Sequence, residues 1–347
     1  MTKPLCLVTG ACGFMGTHMV EVLHEAGYDI RATDLSSAYD RDDKAKGRFP
    51  SVLKRLGVEF VPADLTDPGS LDAVVDGVSY VFHVAAVFNY SAPWSILEAV
   101  NINGTRSLLE RLRYQKAFKK LVFWGAGGIY DLSSPLPITE ESPVAPANDY
   151  LRSKWEAEKL VKVFCEDHKM AYSMVRGTTV YGPRGVYGGG QMLMAAATMP
   201  VAASPSNWNF RIPFGHVRDV CGAALYLAER PATDGEDYIV NDNSQLTNIE
   251  FFRFTAELTG HLYVNLPPVP IPPLKAVLLP LAKVMQWATQ NITHTQSPLE
   301  ADTVDYLGLD VVYSNEKLKG TGYELLYPDA RNGIAETIAW YGRNGWI

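Results

Sequence analysis

The first sixteen residues limit the fold more than any other stretch. Leu5-Cys6-Leu7-Val8 is an unbroken apolar run that enters Thr9-Gly10, and Gly13 and Gly16 follow at intervals of three. An apolar run ending in closely spaced glycines is the pattern of a buried strand that turns sharply into a helix. In that geometry Gly10 takes the tight turn, Gly13 allows a pyrophosphate to approach the backbone, and Gly16 lets the helix pack close. The free N–H groups at the helix N-terminus then face the phosphates. Apolar residues recur at helical spacing from Phe14 to Ala26, and Gly27 supplies the stop.

Downstream, short apolar runs alternate with helical patterns. Strands are expected at 28–33, 58–62, 79–84, 120–124 and 171–176, with helices at 70–75, 94–114 and 148–168. This alternation predicts an α/β chain with a Rossmann-type, doubly wound parallel sheet. After Arg176 the pattern breaks. Val180-Tyr181-Gly182-Pro183 reads as a turn and 185–190 as a loop, while 217–228 is helical and 238–240 a late strand. We therefore expect residues 1–180, joined by 216–241, to bind the nucleotide. Residues 181–215 and 242–347 would form a smaller, mostly C-terminal α/β subdomain for the substrate.

Two further features narrow the chemistry. Asp34 ends the second strand, where a carboxylate accepts both hydroxyls of an adenosine ribose and repels a 2′-phosphate, so NAD is favoured over NADP. Arg31 and Arg41 are the nearby cations that keep NADP as the alternative. Asp64-Leu65 ends the third strand, where the acid can meet the adenine amino group, and Val84-Ala85-Ala86 are small enough for a cofactor to pass closely. Tyr150 and Lys154 lie four apart, on one face of the long helix. A lysine ammonium there would pull the phenol down from about 10, fitting Tyr150 to exchange a proton with an alcohol or carbonyl as hydride moves to or from a nicotinamide.

At 47% hydrophobic and 20% charged residues the composition is that of an ordinary globular chain, and a net charge of −7 argues against a nucleic-acid partner. Cys6, Cys12, Cys165 and Cys221 form no CxxC pair and read as free thiols of a reducing compartment. A cytoplasmic location is expected, since no basic segment followed by an apolar one precedes the first strand. The histidines show no metal-ligand spacing, no metal is expected, and His83 and His216 read as structural. Asp219 is expected to cap a helix starting near Val220.

Taken together, TGACGFMG at 9–16, Asp34, Asp64-Leu65, HVAA at 83–86, NINGT at 101–105, YLRSK at 150–154, RGTTVYGPRG at 176–185 and HVRDV at 216–220 resemble an extended short-chain dehydrogenase/reductase. The resemblance covers nearly the whole chain. It implies that Gly10, Gly13 and Gly16, with Phe14 and Met15, hold the pyrophosphate, and that Asp34 holds the ribose. Asp64 and Leu65 would flank the adenine, and Val84, Ala85, Ala86, Asn101 and Thr178 would line the cofactor. Tyr150 would be the acid/base, while Lys154 would hold the nicotinamide ribose and tune Tyr150. It also implies a homodimer built on the helices at 101–114 and 150–168.

In one place the chain departs from that family, which sets a Ser or Thr hydroxyl at the end of the fifth strand. Here Gly125 and Ala126 stand at that point, and a water or another donor such as Thr178 is the expected substitute; the glycines at 125, 127 and 128 leave room for a large substrate. Within the family, the apolar runs at 192–203 and 271–287 and YVFHVAA at 80–86 are similar to the 3β-hydroxysteroid and sterol dehydrogenase branch. A hydrophobic, sterol-like secondary alcohol or ketone is the expected small-molecule substrate. Six prolines crowd residues 267–280, and 271–287 reads as core, pocket wall or a peripheral membrane contact. A nucleotide-sugar epimerase or dehydratase is the alternative, with Arg184 and Arg211 as its diphosphate candidates. An NAD-binding sensor or scaffold is the reading from outside the enzymes.

Overall fold

A computed structural model describes residues 3–90, 92–289, 292 and 301–347. Its centre is a seven-stranded sheet of β1 (Leu5–Thr9), β2 (Asp29–Thr33), β3 (Glu59–Phe60), β4 (Tyr80–His83), β5 (Lys120–Ala126), β6 (Tyr172–Gly177) and an edge strand, Glu236–Val240. All neighbours run parallel, in the order edge strand, β6, β5, β4, β1, β2, β3. Cys6, Leu7 and Val8 are fully buried because helices cover both faces, which is why β1 reads as a continuous apolar run rather than an alternation.

The two faces carry separate cores. Against one lie the helices Phe14–Glu25 and Val217–Ala228, burying Met19, Leu23, Val220 and Leu227 with Val8, Val122 and Val175. Against the other lie Thr105–Leu112 and the long Asp149–Asp167 helix, burying Leu108, Leu109, Val161 and Phe164 with Leu7, Val81 and Leu121. A third core joins Tyr181, Leu193, Phe214, Phe251, Ile334 and Tyr341 outside the sheet.

Several local expectations change. The third strand is two residues long instead of five, because only Arg31 and Ala32 of β2 offer it a register. Residues 179–181 form a strand paired with Phe214–His216, where a turn was expected. The 185–190 stretch already enters a helix at Gly188, and the apolar 192–203 run divides between that helix, Gly188–Thr198, and the strand Val201–Pro205. Asp219 does not cap the helix, which starts at Val217 with the His216 side chain accepting from Arg218 N. The Asp219 carboxylate instead accepts the backbone N–H groups of Leu326 and Tyr327, pinning the C-terminal segment to the sheet domain. The 271–287 run is a helix, Ile271–Ala288, in which only Ala282 is fully buried and Val277, Val284 and Trp287 are each at least 60% exposed. Among the described residues no helix is long and apolar enough to cross a membrane.

Candidate active site

The glycine loop is a place where three backbones meet. Gly10 has φ +64°, and a Cβ there would lie 2.9 Å from Ala85 Cα; a Cβ on Gly16 would lie 2.0 Å from the Gly10 carbonyl oxygen. Side chains are therefore excluded at both positions by contact, and at Gly10 by conformation as well. Gly13 caps the Phe14–Glu25 helix and brings no side chain, so the first-turn N–H groups have no side-chain acceptor. This is the form of an anion cradle at a helix N-terminus. Asp34 stands beside it at the end of β2, its Oδ2 accepting Cys12 N at 3.0 Å and its Oδ1 accepting Leu35 N at 2.8 Å. Burial raises the Asp34 pKa, against those two bonds. A dinucleotide fits this arrangement: phosphates on the helix start and ribose hydroxyls at Asp34.

Of the two cations that keep NADP as the alternative, Arg31 has its partners in the structure. Arg31 points away from Asp34, bonding Glu59 and the carbonyls of Ala73, Val74 and Asp76 at the outer side of the sheet. Asp64 closes a local turn, its Oδ1 accepting both the N–H and the hydroxyl of Thr66. Leu65 packs on Gly104, where a Cβ would come within 2.7 Å of Leu65 Cβ.

A buried hydrogen-bond chain fixes the exit of β4 over the loop. Thr105 donates to Asn101 O, so its oxygen accepts from His83 Nε2, and His83 Nδ1 accepts the Thr9 hydroxyl; Thr9 Oγ1 in turn accepts Ala85 N. Burial pushes the His83 imidazole down to about 3, so it is neutral and structural. Asn101 lies in a π turn, Glu98–Gly104, that interrupts the helix following β4. Its amide bonds the Val87 N–H and C=O and Ser153 Oγ, tying the loop after β4 to the long helix between Tyr150 and Lys154. The structure thus gives Asn101 protein partners at both ends of its amide, where the resemblance had placed it along the cofactor.

Tyr150 opens the Asp149–Asp167 helix, which Asn148 caps through Leu151 N. Its ring is 8% exposed and enclosed by aromatics: Phe88 at 4.9 Å and Tyr90 at 5.6 Å between centroids, both edge-on, with Tyr187 at 5.7 Å from Phe88. Ala126 packs beside Tyr150 and Leu151. Lys154 is buried one turn on, its Nζ 4.7 Å from the Phe123 ring centroid. The expected pull of Lys154 on the phenol is not what the structure carries. Burial pushes Tyr150 up, and pushes Lys154 down to about 8 against the opposing charge of Glu158. At neutral pH the proton sits on Tyr150, the state that acts as an acid toward a carbonyl.

A lysine whose folded pKa falls below its ordinary 10.5 contributes stability present above that value and lost as pH drops through about 8. Lys154→Met should therefore raise the thermal midpoint at pH 7 by removing a penalty of about 3 kcal/mol. The gain should shrink as pH rises from 8 to 10. Thermal melts across that range check it; a midpoint that falls at pH 7 contradicts it.

Sequence reading missed a charged cluster under this site. Glu158 Oε2 accepts Arg176 Nε at 3.0 Å and Nη2 at 2.6 Å, and Arg176 Nη1 reaches Tyr130 OH and Asp237. Glu158 Oε1 is buried with no hydrogen-bond partner. Gly125, opposite Arg176 in the sheet, makes the space: a Cβ there would lie 2.3 Å from Glu158 Oε1. Position 125 therefore has no room for a hydroxyl-bearing side chain. Thr178 turns its methyl to Gly127 and its hydroxyl toward Gly215, where that oxygen is buried without a partner. The i, i+4 spacing of Lys154 and Glu158 was the available signal. Among the described residues no cluster of His, Cys, Asp and Glu side chains could hold a metal.

Comparison with known proteins identifies the family. The model of the NAD dependent epimerase/dehydratase family matches residues 6–241, and the chain belongs to that family of NAD-dependent enzymes. It is 25% identical to the 3beta-hydroxysteroid-dehydrogenase/decarboxylase isoform 2 of Arabidopsis thaliana over 97% of this chain, spanning 62% of that relative's length. It is 27% identical to a bifunctional dihydroflavonol 4-reductase/flavanone 4-reductase of Malus domestica, over 66% of this chain and 69% of that one. The fold is shared with the UDP-glucose 4-epimerase of Thermotoga maritima, at a TM-score of 0.74 and 21% identity, covering 98% and 99% of the two chains.

Proposed function

We propose that the chain is an NAD-dependent oxidoreductase acting on a secondary alcohol or ketone of a hydrophobic, sterol-like substrate. The aromatic enclosure of Tyr150 by Phe88 and Tyr90 carries this reading, because an apolar ring system gains by packing there and a hydroxyl-rich sugar loses hydration. The diphosphate candidates point the same way: Arg184 is paired with Glu21, and Arg211 with Asp310 at 2.5 Å. The names of the Arabidopsis and Malus relatives fit a ring-bearing alcohol or ketone. The exposed apolar face of the Ile271–Ala288 helix would suit a lipid surface from which such a substrate is taken.

In this reading Gly10, Gly13, Gly16, Phe14 and Met15 hold the pyrophosphate, Asp34 the ribose, and Lys154 the nicotinamide ribose. Bound NAD supplies the two-electron acceptor or, once reduced, the hydride donor. In oxidation Tyr150 takes the alcohol proton as the carbinol carbon loses its hydride; in reduction Tyr150 returns a proton to the oxygen. Where the neighbouring carbon bears a carboxylate, the product is a β-keto acid that can lose carbon dioxide.

Incubation with NAD and a panel of 3β-hydroxysterols should generate NADH absorbance. Turnover of a UDP-sugar with silence across the sterols overturns the proposal in favour of the epimerase reading. Tight NAD binding with no turnover in either panel leaves the sensor reading.

A further inference from the structure

The chain that leaves β2 turns back onto the glycine loop. Asp43 and Arg48 exchange backbone hydrogen bonds, 2.8 Å from Asp43 N to Arg48 O and 3.0 Å from Arg48 N to Asp43 O. Between them the Asp43 side chain accepts Lys46 N, and Gly47 closes the turn with φ +59°. The residues on either side of Arg48 are both fixed at the candidate site. Phe49 N donates to Cys12 O at 2.7 Å, and Cys12 N is the donor that holds Asp34 Oδ2. Gly47 lies against the facing segment, where a Cβ would come 2.8 Å from Tyr187 Cε2 and 2.9 Å from Val186 Cγ2. That segment also covers the start of the Phe14–Glu25 helix, since a Cβ on Gly185 would lie 3.3 Å from Phe14 Cζ. Phe49 is buried and packs on Trp346 at 5.9 Å between centroids, which seats the turn from behind.

The other cations about this turn are committed. Lys44 sits over the Trp346 ring at 4.1 Å, Lys46 pairs with Asp43 at 3.5 Å, and Arg184 of the facing segment pairs with Glu21. Arg48 is half-buried, and among the described residues its guanidinium has no hydrogen bond or ion pair. Its charge acts inward. Burial raises the Asp34 carboxyl, the Leu35 and Cys12 bonds lower it, and Arg48 is the charge that lowers it as well. Burial pushes the Cys12 thiol up to about 12 with Asp34 adding to the rise, and Arg48 opposes both. Burial likewise raises the Tyr187 phenol, against Arg48. One guanidinium is thus felt at the end of β2, in the glycine loop and on the segment across from it.

A pyrophosphate brings its negative charge to a cradle of uncharged N–H groups with the Asp34 carboxylate beside it. A guanidinium adds charge-assisted hydrogen bonds there, in a planar fork that matches phosphate oxygens. Cys12 and Tyr187 put the charge on the loop side of Asp34, toward the helix start. We propose that Arg48 donates to the pyrophosphate of the bound dinucleotide and is the cationic member of the glycine cradle. The inference rests on the dinucleotide reading of that cradle and is independent of which alcohol or ketone is turned over.

The test titrates the full chain calorimetrically with NAD, NADP and ADP-ribose, and with adenosine by competition, before and after Arg48→Met. That substitution keeps an apolar stem and removes the charge. Affinity for NAD and for ADP-ribose should each fall about 10- to 100-fold, as expected for losing hydrogen bonds from a charged donor. Adenosine, which carries no phosphate, should bind as before. The weakening of NAD binding by added salt should be shallower in the variant. Arg48→Lys, which keeps the charge and loses the fork, should recover part of the affinity, and it carries the same comparison if Arg48→Met does not fold. Unchanged NAD affinity overturns the assignment. An equal loss for adenosine also overturns it, because the substitution then disturbs the pocket rather than a phosphate contact. A loss confined to NADP overturns it in favour of a 2′-phosphate contact. If the unchanged protein binds neither NAD nor ADP-ribose, the dinucleotide reading of the cradle fails and takes this inference with it. If both bind and Arg48→Met binds them equally well, only the inference fails.

Discussion

Tyr150→Phe should reduce turnover by about three orders of magnitude, the middle of the range for removing a positioned acid/base. The substitution deletes one oxygen and keeps the ring that packs on Phe88 and Tyr90. NAD affinity and the melting midpoint should therefore stay within error, because the glycine loop and Asp34 are built on β1, β2 and the exit of β4. Steady-state kinetics beside a calorimetric NAD titration makes the comparison. Unchanged turnover would remove Tyr150 from the chemistry. The resting ionisation adds a directional expectation. With burial pushing Tyr150 up, the protein at pH 7 holds the protonated phenol, so ketone reduction should be fast at neutral pH and alcohol oxidation should quicken as pH rises.

Glu158→Ala should be the most damaging substitution for stability, at about 3–5 kcal/mol, because it strips a buried guanidinium of the carboxylate oxygen that accepts two of its N–H groups. Arg176 would keep Asp237 and Tyr130, which limits the loss. The pair also predicts a coupling. Gly125→Ala alone pushes a Cβ toward Glu158 Oε1 and Arg176 Cγ, at 2.3 and 2.9 Å, and should cost about 1–3 kcal/mol as overpacking. In the Glu158→Ala background that cost should largely disappear. Denaturant unfolding of the four proteins closes the cycle, and strict additivity would show that Gly125 is not small on account of Glu158.

Much of this could be read along the chain because the contacts are local or periodic. The strand–glycine–helix start, the acid ending β2 and the Tyr150–Lys154 pair each sit within one element, where spacing fixes geometry. The parallel order of the sheet followed from the alternation of strands and helices. What failed to show was long in sequence and short in space. Asp219 reads as a cap by its position and serves as an anchor because Leu326 and Tyr327 arrive from over a hundred residues away. Val180 and Tyr181 read as the start of a turn until Phe214–His216 offers a strand to pair with.

The candidate site divides along the same line. The sequence by itself determined the dinucleotide cradle, since Gly10 and Gly16 answer to backbone conformation and backbone contact that no side chain can replace. It also named Tyr150 and Lys154. Only the tertiary structure decided their protonation, because desolvation depends on what surrounds a group: the aromatics about Tyr150 and the packed interior around Lys154. It alone showed why Gly125 is a glycine, filled as that space is by a carboxylate from the next layer.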